Sequence, residues 1–292
     1  MANASVPFGF PPRGGSSSFR SFSVGTAVAR AALAWIRRDQ HAAALERTNF
    51  HGRTVTLAGG PALALGATAA AALGAPGGRL SAAIVTAGAV SGAVGLYDDI
   101  VGNRPEQKSA KGFAGHLGAL REGRVTSGLV KIAGVGAAGL VASSLIGSRR
   151  PGRAGRAADV LVGAGVIAGL ANLVNLLDLR PGRAIKAGMM IGAPLAVGRG
   201  GGLAAGALGA SAALLPDDLG EEIMLGDSGA NALGALLGVA LVARSGPAGR
   251  LAALTVLGAL TAASEKVSFT KVIRDTPWLR YVDELGRRPP QA

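Results

Sequence analysis

Apolar residues run in blocks along this chain, and basic residues collect between the blocks. Eight apolar segments stand out, at roughly 57–74, 80–97, 128–147, 157–177, 184–198, 200–216, 229–243 and 248–263. Long uninterrupted apolar runs predict helices enclosed by lipid or by other helices. Several of the runs are shorter than the ~20 residues that cross a bilayer. Residues 21–36 are also apolar but carry Arg30 and end in "RRD". They read either as a poor first span or as a helix lying on the membrane surface. The polar leader before them argues against a cleaved signal. Residues 1–20, rich in Pro, Gly and Ser, read as a disordered tail. Residues 21–264 form the helical domain, and 265–292 form a basic tail. In that tail Val267, Val272 and Ile273 with Trp278, Leu279 and Val282 suggest a surface helix broken at Pro277. The fold class expected is all-α, a polytopic membrane helical bundle of about eight to nine transmembrane helices.

Composition agrees with this pattern. Charged residues make up 16% of the chain, against about 25% in a soluble domain. Mean hydropathy is +0.38. Aromatic residues are only 4%, so no aromatic belt marks the interfaces. Five small-xxx-small glycine pairs, Gly88/Gly92, Gly165/Gly169, Gly188/Gly192, Gly202/Gly206 and Gly234/Gly238, fit close helix packing, but 47 glycines produce such pairs by chance as well. The net charge of +13 lies between apolar blocks, which points to anionic headgroups and not to nucleic acid. The absence of cysteine excludes disulfides and thiolate chemistry.

If all eight segments cross, the loops at 98–127, 178–183 and 217–228 share one face with both tails. That face holds most of the Lys and Arg, which makes it cytoplasmic by the positive-inside rule. The cluster "SRRPGRAGR" at 148–156 falls on the other face and dissents.

The few acids gather on the basic face. Asp98 and Asp99 close one apolar run in "GLYDD", Asp178 closes another in "NLVNLLD", and Asp227 opens a third in "LGDSGANALG". Asp227 suits a helix N-terminus. The other three sit at helix C-termini, where an acid is disfavoured by roughly 0.3–1 kcal/mol. Together they suggest a site for a hard cation, Mg²⁺ or Mn²⁺, with phosphate. The plain alternative is that each acid only marks a helix end. Asn172 and Asn175 share one face of the helix leading to Asp178, either as site residues or as interhelical hydrogen-bond partners. Lys131, just inside its span, is placed to meet phosphate or to snorkel to headgroups. Arg53, in the Gly-flanked "GRTVTLAGG", is a further candidate for an anion, and Lys111 and His116, in "KGFAGHLGALREGR", for phosphate contact or proton transfer.

In this order the pieces "RTVTLAGG", "GLYDD", a Lys opening the next helix, "NLVNLLD" and "LGDSGANALG" resemble the polyprenyl-phosphate N-acetylhexosamine-1-phosphate transferases, over roughly residues 50–245. The resemblance implies a bundle of about ten helices with a cytoplasmic active site in the cell membrane. It implies Mg²⁺-dependent transfer of a sugar-1-phosphate from a UDP-sugar to a polyprenyl phosphate, with release of UMP. By the same resemblance Asp227 is a metal ligand, Asp98 and Asp99 meet the lipid phosphate, and Asp178 with Asn175 matches the first part of an Asn-Asp motif. The chain departs from the family at "DLRPGR", where Pro181 takes the place of a second acid, in Ala230 where Ser is common, and in having no His after His116. Arg180 and Arg183 then stand where an acidic loop is expected, and are read as contacts to the donor phosphates. A homologue that has lost catalysis and binds a lipid-linked precursor, or acts as a scaffold, is the alternative. A homodimer is compatible with either.

Overall fold

Each of the eight apolar segments is a helix. The computed structural model describes residues 14–49, 51–102, 104, 112–148, 150–198 and 200–288, with the backbone alone at 14, 15, 112–114, 116 and 117. Among these are twelve α-helices: α1 (Gly14–Arg38), α2 (Gly59–Leu73), α3 (Gly78–Val101), α4 (Gly112–Arg121), α5 (Ser127–Ile146), α6 (Arg153–Leu177), α7 (Arg183–Ala196), α8 (Gly202–Leu219), α9 (Gly226–Arg244), α10 (Pro247–Ser264), α11 (Phe269–Asp275) and α12 (Pro277–Glu284). One hairpin, β1 (Glu46–Thr48) with β2 (Thr54–Thr56), is antiparallel in the register Arg47↔Val55. The architecture is all-α, as expected.

Length and composition qualify four helices, α3, α5, α6 and α9, to cross a membrane, and a fifth if α10 and α11, bent by 95°, count as one span. The eight to nine spans expected are therefore eight apolar helices of unequal reach. At 1.5 Å per residue α2 is only about 22 Å long, short of a ~30 Å hydrocarbon core. Helices α7 and α8 each contain a proline, Pro194 and Pro216. The apolar helices support membrane association.

The centre of the bundle is α9, which packs against α2, α3, α5, α6, α7 and α8. Its sequence is almost entirely Gly, Ala, Leu and Val, with no polar stripe to face water, and nearly every residue is buried. Small residues bring the neighbouring backbones close. A Cβ at Gly95 would collide with the Asp227 carbonyl, and one at Gly234 with the Leu170 carbonyl. Of the five glycine pairs, Gly202/Gly206 and Gly234/Gly238 lie at such close backbone approaches, whereas the other three meet side chains, such as Thr68 at Gly88 and Leu233 at Gly188.

The expected tail 1–20 is partly helical, because α1 starts at Gly14. This helix is a member of the bundle, laid along α8 and α2. The Ser18 hydroxyl donates to the Ala196 carbonyl at the end of α7, whereas Arg30 pairs with Asp217 and Arg37 with Glu222 at the end of α8. Gly14 therefore lies at the opposite end of the bundle from the C-terminal tail. This differs from the sequence count, which left α1 out and put both tails on one face.

Candidate functional site

The polar centre lies where α9 begins. The turn into α9 passes through Gly226, whose φ of 59° is in the left-handed region and whose missing side chain leaves room for the Asp99 carboxylate. Asp99, at the end of α3, accepts from the N–H groups of Asp227 and Ser228, at 2.9 Å each. It is thus Asp99 that caps the central helix, not Asp227. Asp227 is turned aside. Its Oδ2 lies 2.5 Å from Lys131 Nζ, and the same ammonium lies 2.6 Å from Asp98 Oδ2. Ser127 also donates to Asp98. Lys131 is 18% exposed, so this pair of contacts is largely shielded from water. Asp178 caps the end of α6 and accepts from the Gly226 N–H. Burial lifts the Asp178 pKa well above the carboxylate range, and the negative charges of Asp218, Asp227 and Asp99 raise it further.

Asp98, Asp99, Asp178, Asp227 and Lys131 are thus brought together. Two cavities adjoin them. One, of about 410 Å³ between α5, α6, α9 and α10, is lined by the polar Lys131, Asn172, Asn175, Asn231, Thr261, Ser264 and Glu265 and by apolar residues such as Ile132, Val135 and Leu176. There Asn172 donates to Thr261 and Asn231 to the Asp227 carbonyl. The other, of about 250 Å³, lies between the hairpin, the 178–182 turn and the 218–224 loop, and includes Asn49, Asp178, Arg180, Asp218 and Glu221.

Other candidates are placed differently. Arg53 stands 3.7 Å from Glu221, at the edge of the smaller cavity. Arg183 does not face the carboxylates. It is buried in a two-point pair with Asp283 of α12 and donates to Thr270, so its expected contact with donor phosphate is replaced by one with the tail. Lys111 lies outside the described residues, and so does the side chain of His116.

Two acids had drawn no attention in the sequence. Asp218 accepts from the Gly182 N–H and faces Asp178. Glu221, at φ 54°, accepts from Asn49 and contacts His51. Burial opposes its charge, but these partners outweigh burial and hold its pKa below the usual range. "LLPDDLGEE" was the available signal, since it repeats the apolar-run-then-two-acids pattern of "GLYDD".

Among the described residues no group of three or more Asp, Glu or His is arranged to hold a metal by itself. The donor set is nonetheless all oxygen, and one ammonium stands against four carboxylates. That chemistry fits Mg²⁺ held by one or two carboxylates together with phosphate oxygens, and does not fit an all-protein cage. No protein-family model matches the chain, and no curated protein matches it at a significant level.

Proposed function

We propose that the chain transfers a sugar-1-phosphate from a UDP-sugar to a polyprenyl phosphate, with the reaction at the start of α9 and this face toward the cytoplasm. The observation that carries the reading is the bridging of Asp98 and Asp227 by Lys131 beside Asp99 and Asp178. Four acids from three stretches of sequence converge at one end of an apolar bundle, where a merely structural helix end requires one.

The larger cavity suits the acceptor. Ile132, Val135, Ala168 and Leu176 offer one apolar wall for a prenyl chain, and Lys131, now paired with Asp98 and Asp227, can turn to the lipid phosphate. The smaller cavity, with Asn49, Asp178, Arg180 and Asp218, suits the donor nucleotide. Here Asp218 supplies from α8 the second acid that "DLRPGR" lacks. A phosphate oxygen of the lipid attacks the sugar-bearing phosphorus of the donor, the bond to the UMP oxygen breaks, and UMP leaves. Bound Mg²⁺, with Asp227 as its ligand, would supply charge neutralisation at the phosphates. Lys131 orients the incoming phosphate, and Asp98 holds Lys131 and receives a proton where the phosphate carries one.

The burial of Arg183 against α12 favours a second reading, a binding protein that keeps the scaffold without turnover. One experiment separates the two. Purified protein is incubated with Mg²⁺, polyprenyl phosphate and a panel of UDP-sugars, and UMP is measured. The transferase reading expects UMP with at least one donor and none from Asp227→Asn, which should also lose Mg²⁺-dependent thermal stabilisation while remaining folded. Lipid-phosphate binding without UMP from any donor would establish the second reading.

A further inference from the structure

Helices α11 and α12 turn away from the bundle after α10, and α12 is apolar on two sides. Leu279 and Val282 face inward, lining an almost wholly apolar cavity of about 390 Å³ with Leu173, Met190 and Ile273. Trp278, Tyr281 and Leu285 face outward and are 62%, 70% and 58% exposed. They recur at i, i+3 and i+7, so they form one stripe. The chain has two Trp and two Tyr, and one of each lies on this eight-residue helix. Lys271 and Arg274 on α11 and Arg280 on α12 are exposed, Arg274 within 3.2 Å of the exposed Asp275.

The depth of the stripe is fixed by its attachments. Lys186 donates to the carbonyls of Val282, Asp283 and Leu285, which leaves α12 seated at the start of α7. Arg287 donates to the Pro181 carbonyl in the turn after α6. Helix α6 is one of the four long and apolar enough to cross a membrane, and α12 sits beside its C-terminal end. Trp and Tyr favour this level because the ring is apolar and the N–H or O–H is polar. Lys and Arg beside them favour anionic headgroups.

We infer that α11 and α12 are an interfacial anchor for an anionic lipid leaflet, with Trp278, Tyr281 and Leu285 inserted at the headgroup–acyl boundary and Lys271, Arg274 and Arg280 at the lipid phosphates. The anchor is independent of the transferase reading, and its test needs no activity.

Full-length protein carrying Trp35→Phe, which leaves Trp278 as the sole indole, is reconstituted in phosphatidylcholine vesicles with or without phosphatidylglycerol. The lipids are brominated either near the headgroup or near the chain end. The expected result is blue-shifted Trp278 emission, quenched more by the shallow bromines than by the deep ones, and quenched further with phosphatidylglycerol. Changing Lys271, Arg274 and Arg280 together to Gln should remove the phosphatidylglycerol increment. If Trp35→Phe misfolds, the wild-type emission minus that of Trp278→Phe reads the same quenching. Water-like emission untouched by either bromine position would overturn the anchor. So would blue-shifted emission that no bromine quenches and that follows the protein-to-lipid ratio, since a second copy would then cover the stripe. Equal quenching with and without phosphatidylglycerol would overturn the assignment to anionic lipid.

Discussion

Asp98 and Asp99 are adjacent in sequence but point in different directions, because successive helical residues are turned by about 100°. Asp98 goes to Lys131 and Asp99 to the N-terminus of α9. Asp99 lies at the unfavourable end of its own helix dipole, and the positive end of α9 offsets that. Asp217 and Asp218 repeat the arrangement, one pairing with Arg30 and the other accepting from the Gly182 N–H. The two acids of "GLYDD" should therefore respond differently to mutation. Asp99→Ala strands two N–H groups at the start of the central helix and should cost about 1–3 kcal/mol. Asp98→Asn leaves Lys131 paired with Asp227, so it should shift stability by less than about 1 kcal/mol while lowering turnover, since the amide cannot receive the phosphate's proton. Thermal unfolding in micelles checks this. Equal loss in both variants would mean that the two acids share one structural role. The residue types at these positions were legible in the sequence, as was their common face. Their partners were not, since whether an acid meets a lysine or a helix start depends on how α3 rotates against α9, which no local pattern encodes.

At the scale of elements, apolar length located the eight apolar helices but did not show which flanking segments would join them. Helix α1 was ambiguous because Arg30 interrupts its apolar run, and only the position of Asp217 on α8 resolves that charge. Arg183 appeared to be a free cation beside the acids, yet Asp283, one hundred residues later, takes it up. This pair gives the tail a pH dependence. Burial opposes the charge of Asp283, but Arg183 and Arg287 outweigh burial and hold its pKa below the usual value. The folded pKa is then lower than the unfolded one, about 3.9. Docking stability from Asp283 is full above that value and is lost as pH falls through the depressed one. The chain has no cysteine, so a spin label at Glu284→Cys reports α12 alone. Its motion should be restricted at neutral pH and should loosen only on strong acidification. Asp283→Asn should free it at neutral pH, because breaking one side of a buried ion pair costs about 3–5 kcal/mol. A label that stays equally restricted in Asp283→Asn would show that Lys186 and the apolar contacts hold the tail without the pair.

For the whole molecule the question is which end of the bundle faces the cytoplasm. The helices of the bundle alternate in direction. The site end collects the starts of α2, α5, α7 and α9 and the ends of α1, α3, α6, α8 and α10, and Arg244 beside the Leu195 carbonyl marks the far end. Charge on the far end includes Arg250, buried against Asp159 at 2.9 Å. The positive-inside rule acts during insertion, before that pair forms, so Arg250 still counts against the assignment together with the 148–156 cluster. The loops and tail at the site end carry more Lys and Arg, and the site end should be cytoplasmic. With α1 running the full length of the bundle, the N-terminus should then lie on the opposite side. Single cysteines test this in intact cells with a membrane-impermeant maleimide. Ser16→Cys and Ser148→Cys should label from outside, and Lys266→Cys only after permeabilisation. If Ser16→Cys also requires permeabilisation, α1 does not cross and both termini share the cytoplasmic side. If Lys266→Cys labels in intact cells and Ser148→Cys does not, the bundle is inverted. The carboxylates would then face away from the cytoplasmic pool of UDP-sugars, and the transferase reading would lose its donor.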